Sequence, residues 1–420
     1  MPISHLAAAS HLRLSSVTAP SSYVTAVAGV TAAALSLLLL AKSGRVSSSP
    51  SAGTSVLPSP RTTLLPLLSS DEAAALPYPP DVLPGARDVD TPYGSLRVYE
   101  WGPDDGERVL LVHGISTPCV SLAGVADGLV KSGRRVLLFD LFGRGYSDAP
   151  IDLPYDSRLY TTQILLALAS SPLPWPTFSL LGYSFGGGIA ADFASHFPHL
   201  VSSLILIAPS GLLRPSHISL KSKILYNTPL LPALLVNWLV GRRLYTPATP
   251  TLTPIHADES SSRASATDAA QAEAGQRLRP RSASTLSYPA PLLPGRPAVT
   301  AAAAVNWQIE HHAGFVHAFV SSIRHAPIYA QHARWRAIGE RATKERVAAE
   351  AKGERARAKV LLVLGRDDPI IVAEEVRLDA EEVLGGSANV RTAVLPAGHE
   401  VPMSLVGEVV EALVGFLEEV

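Results

Sequence analysis

Short runs of unbroken apolar residues recur along the chain between segments of helical length. They are "RVLLVHG" (108–114), "RRVLLFD" (134–140), "TFSLLGY" (177–183), "SSLILIAP" (202–209), "AKVLLVLG" (358–365) and "VRTAVLP" (390–396). A strand with one face in water alternates apolar and polar positions, and a strand covered on both faces loses that alternation. The runs are therefore predicted to lie together in a central, mostly parallel sheet. "ARDVDTPYGSLRVYEWG" before them reads as two strands around a turn at residues 92–94, with alternation from Ser95 to Trp101. "GGGIAADFASHF" (186–197) and "MSLVGEVVEALVGFLEEV" (403–420) are predicted helices. In the second, Val406, Val409, Val410, Leu413, Phe416 and Leu417 make a stripe at helical spacing. Strands alternating with helices predict an α/β fold, its sheet covered on both faces.

The rhythm breaks between "LILIAP" and "KVLLVLG", an interval of about 150 residues, much longer than one crossover helix. An inserted helical cap is expected over residues 210–358, beyond the strand ends where open α/β sheets bind ligands. It divides the α/β core into residues 86–209 and 359–420. Residues 246–300 within it hold few large apolar side chains and are expected to be a disordered surface insertion. Two cap stretches carry more pattern. In "TPLLPALLVNWLVG" (228–241), Leu231, Leu234, Leu235, Trp238 and Leu239 share one helical face. That face is expected to pack over the α/β core; contact with a bilayer is the alternative. "NWQIEHHAGFVHAFVSSIRHAPI" (306–328) places four histidines on a predicted helix. Adjacent His311 and His312 diverge by about 100° there, so they share a metal poorly, and cap packing and pocket lining is the expectation.

The first seventy residues lack Asp and Glu altogether. Within them residues 23–41, "YVTAVAGVTAAALSLLLLA", are uncharged and end before Lys42 and Arg45. As a helix this run spans roughly 28 Å, close to the hydrocarbon thickness of a bilayer. A single membrane anchor is expected there, after a tail at residues 1–22 and before a Ser/Pro-rich linker at residues 42–85. A cleaved secretory signal and an organelle transit peptide are the alternatives. The basic residues after the run favour a cytosolic position for the domain that follows.

With 47% apolar residues, 17% charged residues and a net charge of −1, the chain has no basic cluster of the kind that binds nucleic acid. Its single cysteine, Cys119, excludes an intramolecular disulfide and a cysteine-based zinc site. Cys119 is expected to be a small apolar residue beside a strand end.

The candidate chemistry lies in "LLGYSFGGG" (180–188), where Ser184 sits between glycines after an apolar strand and before a helix. Such a sharp turn projects the serine from the sheet's C-terminal edge. A serine hydroxyl becomes a good nucleophile only when an imidazole, itself oriented by a carboxylate, takes its proton. "LPAGHEVP" after the last strand offers His399, and "GRDDPIIV" after the strand before it offers Asp367 and Asp368. The order Ser, Asp, His is the one this elbow type requires.

On these residues the chain resembles the α/β-hydrolase superfamily, over residues 86–420 apart from the Pro/Ser-rich insertion. The resemblance implies a serine-nucleophile esterase or lipase, similar to monoacylglycerol-lipase-like hydrolases, working without cofactor or metal. The family's G-x-x-D and G-H-x-x-P patterns match residues 365–368 and 398–402, which favours Asp368 over Asp367 as the acid and makes His399 the base. "VHGIS" (112–116) resembles the family's oxyanion turn, implying backbone donors at Ile115 and Phe185 and a structural role for His113. "DLFGRGYSD" (140–148) resembles a further family turn, held together by Asp140 and Arg144. The expected function is a membrane-anchored serine hydrolase of carboxylic, lipid-like esters. Trp238 and Phe315 are candidates for its substrate pocket. An aminopeptidase, a C–C bond hydrolase and a non-catalytic ligand-binding protein on the same scaffold are the alternatives.

Overall fold

All six apolar runs lie side by side in one sheet. The computed structural model describes residues 55–213, 226, 232–245, 290–353 and 359–419. In chain order its strands are β1 (Val56–Leu57), β2 (Ala86–Thr91), β3 (Gly94–Trp101), β4 (Arg108–Val112), β5 (Arg135–Phe139), β6 (Ala149–Pro150), β7 (Phe178–Tyr183), β8 (Val201–Ile207), β9 (Val360–Gly365) and β10 (Val390–Leu395). The main sheet runs β10-β9-β8-β7-β4-β5-β3-β2. Neighbours from β10 to β5 pair in parallel, and the β2–β3 hairpin adds an antiparallel edge. Every residue of β5, β7 and β9 is buried, which is why their sequences do not alternate.

The helices are α1 (Pro60–Thr63), α2 (Ser70–Ala74), α3 (Ala123–Lys131), α4 (Ser157–Ala169), α5 (Phe185–His196), α6 (Ala233–Leu244), α7 (Ala301–His311), α8 (Phe315–His325), α9 (His332–Ala351), α10 (Ala373–Val383), α11 (Val401–Ser404) and α12 (Val406–Leu417). In α12, Val409, Leu413, Phe416 and Leu417 are buried, and the helix packs on α3.

Five expectations need correction. The linker expected over residues 42–85 is folded from residue 55 onward. Pro150 and Ala149 pair with β1, the Ser59 N–H donates to Asp148 Oδ1 at 2.8 Å, and Tyr78, Val82 and Leu83 are buried in the core. A local signal was present: Ser69 and Glu72 form a reciprocal capping box at the start of α2.

The cap does not extend to residue 358. α9 packs against α5 and α10, with Trp335, Ile338 and Ala342 buried on its inner stripe. It therefore covers the sheet as the crossover between β8 and β9, leaving α6, α7 and α8 as the described cap helices. The breaker-rich segment also ends earlier than expected. Residue 290 onward is described, Pro291 bridges Thr300, and Val299 is buried; residues 246–289 lie outside the described residues.

The histidine-bearing stretch is two helices rather than one. Between them His312 is buried, with Nε2 donating to Ser147 O at 2.9 Å while Nδ1 accepts from the Gly314 N–H at 3.1 Å. A Cβ at Gly314 would lie 2.2 Å from Ala149 Cβ, so only glycine allows the chain to turn against that loop. Both ring nitrogens of His312 are thus engaged with backbone.

The face of α6 expected to pack inward points outward. Val236, Val240 and Leu244 are its buried positions, whereas Leu234, Leu235, Trp238 and Leu239 are exposed. Leu231, expected on the same face, lies outside the described residues, as does the anchor expected at residues 23–41. Among the described residues, no helix is long and apolar enough to cross a membrane.

Candidate active site

Ser184 occupies a strained turn between β7 and α5, with φ +52° and ψ −115°. Three backbone bonds hold it: Ser184 N–H to Ile207 O at 2.8 Å, and the N–H groups of Gly187 and Ser210 to Ser184 O, each at 2.9 Å. The flanking glycines are required by space. A Cβ at Gly182 would stand 2.3 Å from Gly186 O, and one at Gly186 would stand 2.2 Å from Val112 O. Positive φ at a non-glycine residue is costly and persists where the surroundings over-determine it.

The loops after β9 and β10 bring the partners in. Ser184 Oγ is 2.8 Å from His399 Nε2, and His399 Nδ1 is 2.7 Å from Asp368 Oδ2. Asp368 uses its other oxygen, Oδ1, to accept from the N–H groups of Ile370 and Ile371 at 2.8 and 2.9 Å. The carboxylate is thereby locked with Oδ2 toward the ring. An ionised carboxylate only accepts, so Nδ1 carries the proton and Nε2 presents its lone pair to the serine hydroxyl. His399 is fully buried, and Ser184 retains 4% exposure. Asp367 is exposed; its backbone N–H donates to Ala397 O at 2.9 Å, and Asp368, not Asp367, bonds the imidazole.

The two residues expected to supply oxyanion donors flank this chain. Phe185 opens α5, so its N–H belongs to the first turn, where the helix itself provides no acceptor. Ile115 follows Gly114, whose carbonyl accepts from His113 Nδ1 at 2.8 Å. The Leu141 N–H donates to His113 Nε2 at 2.9 Å, which fixes the tautomer. His113 thus orients the Gly114–Ile115 peptide. Burial and, next, the Arg144 charge push its imidazole down to about 3, so it stays neutral.

The supports from Tyr183 and Gln308 were not legible in the sequence, whereas Asp140 was expected to hold its loop together. Tyr183 donates its hydroxyl to the His399 carbonyl at 3.1 Å. Gln308 of α7 donates from Nε2 to Ser116 O and accepts from the Gly145 N–H, both at 2.9 Å. Asp140 accepts from the Tyr146 and Cys119 N–H groups and from the Tyr78 hydroxyl, and the buried Cys119 beside it places Sγ 3.3 Å from that same hydroxyl. The two expected pocket residues part company. Phe315 is fully buried, its ring centroid 6.4 Å from that of Phe319. The Trp238 indole is on the outer arc of α6 and is 57% exposed, because the Val236 and Val240 arc is the one turned inward.

A mostly parallel sheet with a Ser–His–Asp chain at the ends of β7, β10 and β9 is the arrangement of an α/β hydrolase. Residues 107–403 match the family model described as the alpha/beta hydrolase fold, and the chain belongs to that family. A serine hydrolase-like protein of Dictyostelium discoideum is 32% identical over 130 residues, 30% of this chain and 36% of that protein. A serine hydrolase-like protein of Danio rerio is 30% identical over 123 residues, 29% of this chain and 37% of that protein. These matches span little more than a third of the relatives' length. The enol-lactonase structure from Burkholderia xenovorans covers 79% of this chain and 100% of its own, with a TM-score of 0.50 at 13% identity; that likeness concerns the fold.

Proposed function

We propose that this α/β hydrolase is a serine hydrolase that cleaves carboxylic esters of lipid-like acids through an acyl-enzyme. The observation that carries the reading is the continuous chain from Ser184 Oγ to His399 Nε2 and from His399 Nδ1 to Asp368 Oδ2, at 2.8 and 2.7 Å. Ser184 Oγ attacks the ester carbonyl and passes its proton to His399 Nε2. The backbone N–H groups of Ile115 and Phe185 receive the charge developing on the carbonyl oxygen. His399 then returns the proton to the leaving alkoxide, and water repeats the cycle on the acyl-enzyme, releasing the acid. Asp368 holds the imidazole and balances its positive charge throughout. The serine hydrolase-like names of the two relatives support the serine's role.

The lipid-like acyl group is supported by the apolar cap, where Val236, Val240, Phe315 and Phe319 are buried, and by the uncharged run at residues 23–41, whose length as a helix would match the hydrocarbon thickness of a bilayer. Fluorophosphonate labelling of the full chain tests the nucleophile. The expected result is labelling of the wild type and none of Ser184→Ala; equal labelling of both overturns it. A series of p-nitrophenyl esters tests the acyl group. Each buried methylene contributes about 0.8 kcal/mol, so kcat/KM should rise from acetate to medium chains. Activity that falls from acetate upward removes the lipid-like substrate.

A further inference from the structure

Helix α6 is apolar on both sides, yet among the described residues only one side is covered. Successive residues turn by 100°, so Val236, Val240 and Leu244 fall on one arc and Leu234, Leu235, Trp238 and Leu239 on the opposite one. The first arc is buried; on the second, Leu234 is 85% exposed. Ten large hydrophobic residues are exposed among the described residues, and five of them lie between positions 234 and 245: Leu234, Leu235, Trp238, Leu239 and Tyr245. The other five are Leu67, Val347, Val372, Leu378 and Val394, spread over separate elements. Isolated exposed apolar residues are ordinary, but a concentration of them marks a contact surface.

Charge indicates what touches it. Residues 232–245 contain no Asp or Glu and carry Arg242 and Arg243, both exposed, in the last turn of α6. The Arg242 guanidinium lies 5.6 Å from the centre of the Trp238 ring, so a cation follows Trp238 at the C-terminal end of the apolar arc. The arc is a convex ridge along one side of a helix, which enters a soft apolar medium without needing a matching groove. Leucine and tryptophan on one face with arginine at its edge is the chemistry of a helix lying in the headgroup region of a bilayer.

We propose that the outer face of α6 docks on an anionic lipid surface, with Leu234, Leu235, Trp238 and Leu239 entering the upper acyl region and Arg242 at the phosphates. The inference concerns the exposed face of a cap helix and does not depend on the hydrolytic reading. It also differs from anchoring by residues 23–41, because it fixes how the folded domain faces the membrane.

The full chain carries one native thiol, Cys119, which is buried, so Leu234→Cys can be labelled with a polarity-sensitive fluorophore. Leu378→Cys, exposed on α10, serves as the control position. Each labelled chain is reconstituted in phosphatidylcholine vesicles with and without phosphatidylserine, carrying bromine on the upper acyl carbons. The expected result is a blue shift and bromine quenching at position 234, strengthened by phosphatidylserine, with neither at position 378. Arg242→Glu should remove the strengthening. A label at 234 that stays in water, or equal quenching at both positions, overturns the proposal. Indifference to phosphatidylserine overturns its anionic part. A blue shift that grows with protein concentration in detergent, without vesicles, assigns the face to a second copy instead. Repeating the measurement with Ser184→Ala separates docking from hydrolysis, since the shift should persist without turnover.

Discussion

The buried guanidinium of Arg144 donates from Nε to the carbonyl oxygen of Ile115 at 3.2 Å. Its Nη1 reaches Phe142 O and the Tyr160 hydroxyl, and its Nη2 reaches Ser322 Oγ on α8 at 2.9 Å. Every one of these acceptors is neutral. Tyr160 in turn meets the Phe185 ring edge-on, with centroids 5.3 Å apart. The cluster therefore ties α8 to both residues assigned to the oxyanion site, and Arg144 is a positioning residue for it.

Arg144→Lys keeps the charge and loses the planar fork. Displacing the oxyanion turn by a fraction of an ångström is expected to lower kcat by about 10- to 100-fold while KM for a small ester changes little. Steady-state kinetics of the folded variant check this. A change confined to KM would place Arg144 in substrate binding.

The adjacent carboxylates should separate cleanly. Asp368→Asn is expected to cost about 10⁴ in kcat, because the amide cannot balance the imidazolium and favours the wrong tautomer. Asp367→Asn, altering an exposed side chain, should leave turnover near wild type. The opposite ranking would transfer the acid's role to Asp367.

Two buried histidines predict how acid destabilises the fold. Burial is the main cause that pushes His113 down to about 3 and His312 to about 4, against an ordinary value of 6.5. Both stay neutral in the native chain, while the unfolded chain protonates them below about pH 6.5. The unfolded state then binds more protons, so stability is lost as pH falls, by about 1.4 kcal/mol per pH unit for each imidazole. The loss continues until the native values are reached. Urea unfolding between pH 7 and pH 5 should show this slope, and His113→Gln should roughly halve it. An unchanged slope in the variant would remove His113 as its source.

The arm before β2 should be part of the stable unit. A chain starting at Ser55 is expected to melt like the complete protein. One starting at Asp71 loses the pairing of β1 with β6 and the Ser59–Asp148 bond, and should melt several degrees lower. Tyr78→Phe, which removes one donor from buried Asp140, should cost about 1–2 kcal/mol. Equal melting temperatures for the two truncated chains would make the arm dispensable.

What the sequence disclosed was local. Runs buried on both faces announce themselves by losing alternation, and an elbow such as that around Ser184 needs small residues at fixed spacing. What it concealed depended on distant partners. Nothing near Tyr78 indicates that its hydroxyl meets Asp140, 62 positions later. In α6 both arcs are apolar, so periodicity alone could not say whether Val236 or Leu234 turns inward. In α9 a narrow stripe of Trp335, Ile338 and Ala342 lies in an otherwise polar helix, which hid a sheet-covering crossover inside the expected cap.

The arm also sets an order of events during synthesis. Ser59 emerges from the ribosome 89 residues before Asp148, and Tyr78 emerges 62 before Asp140. At about 5–20 residues per second, each docking partner arrives roughly 3–18 s after the arm residue it receives. For that interval Tyr78, Val82 and Leu83 have no core to enter. The arm is thus translated before the partners it docks on, and the nascent chain carries an uncovered apolar stretch until the loop after β5 has been made.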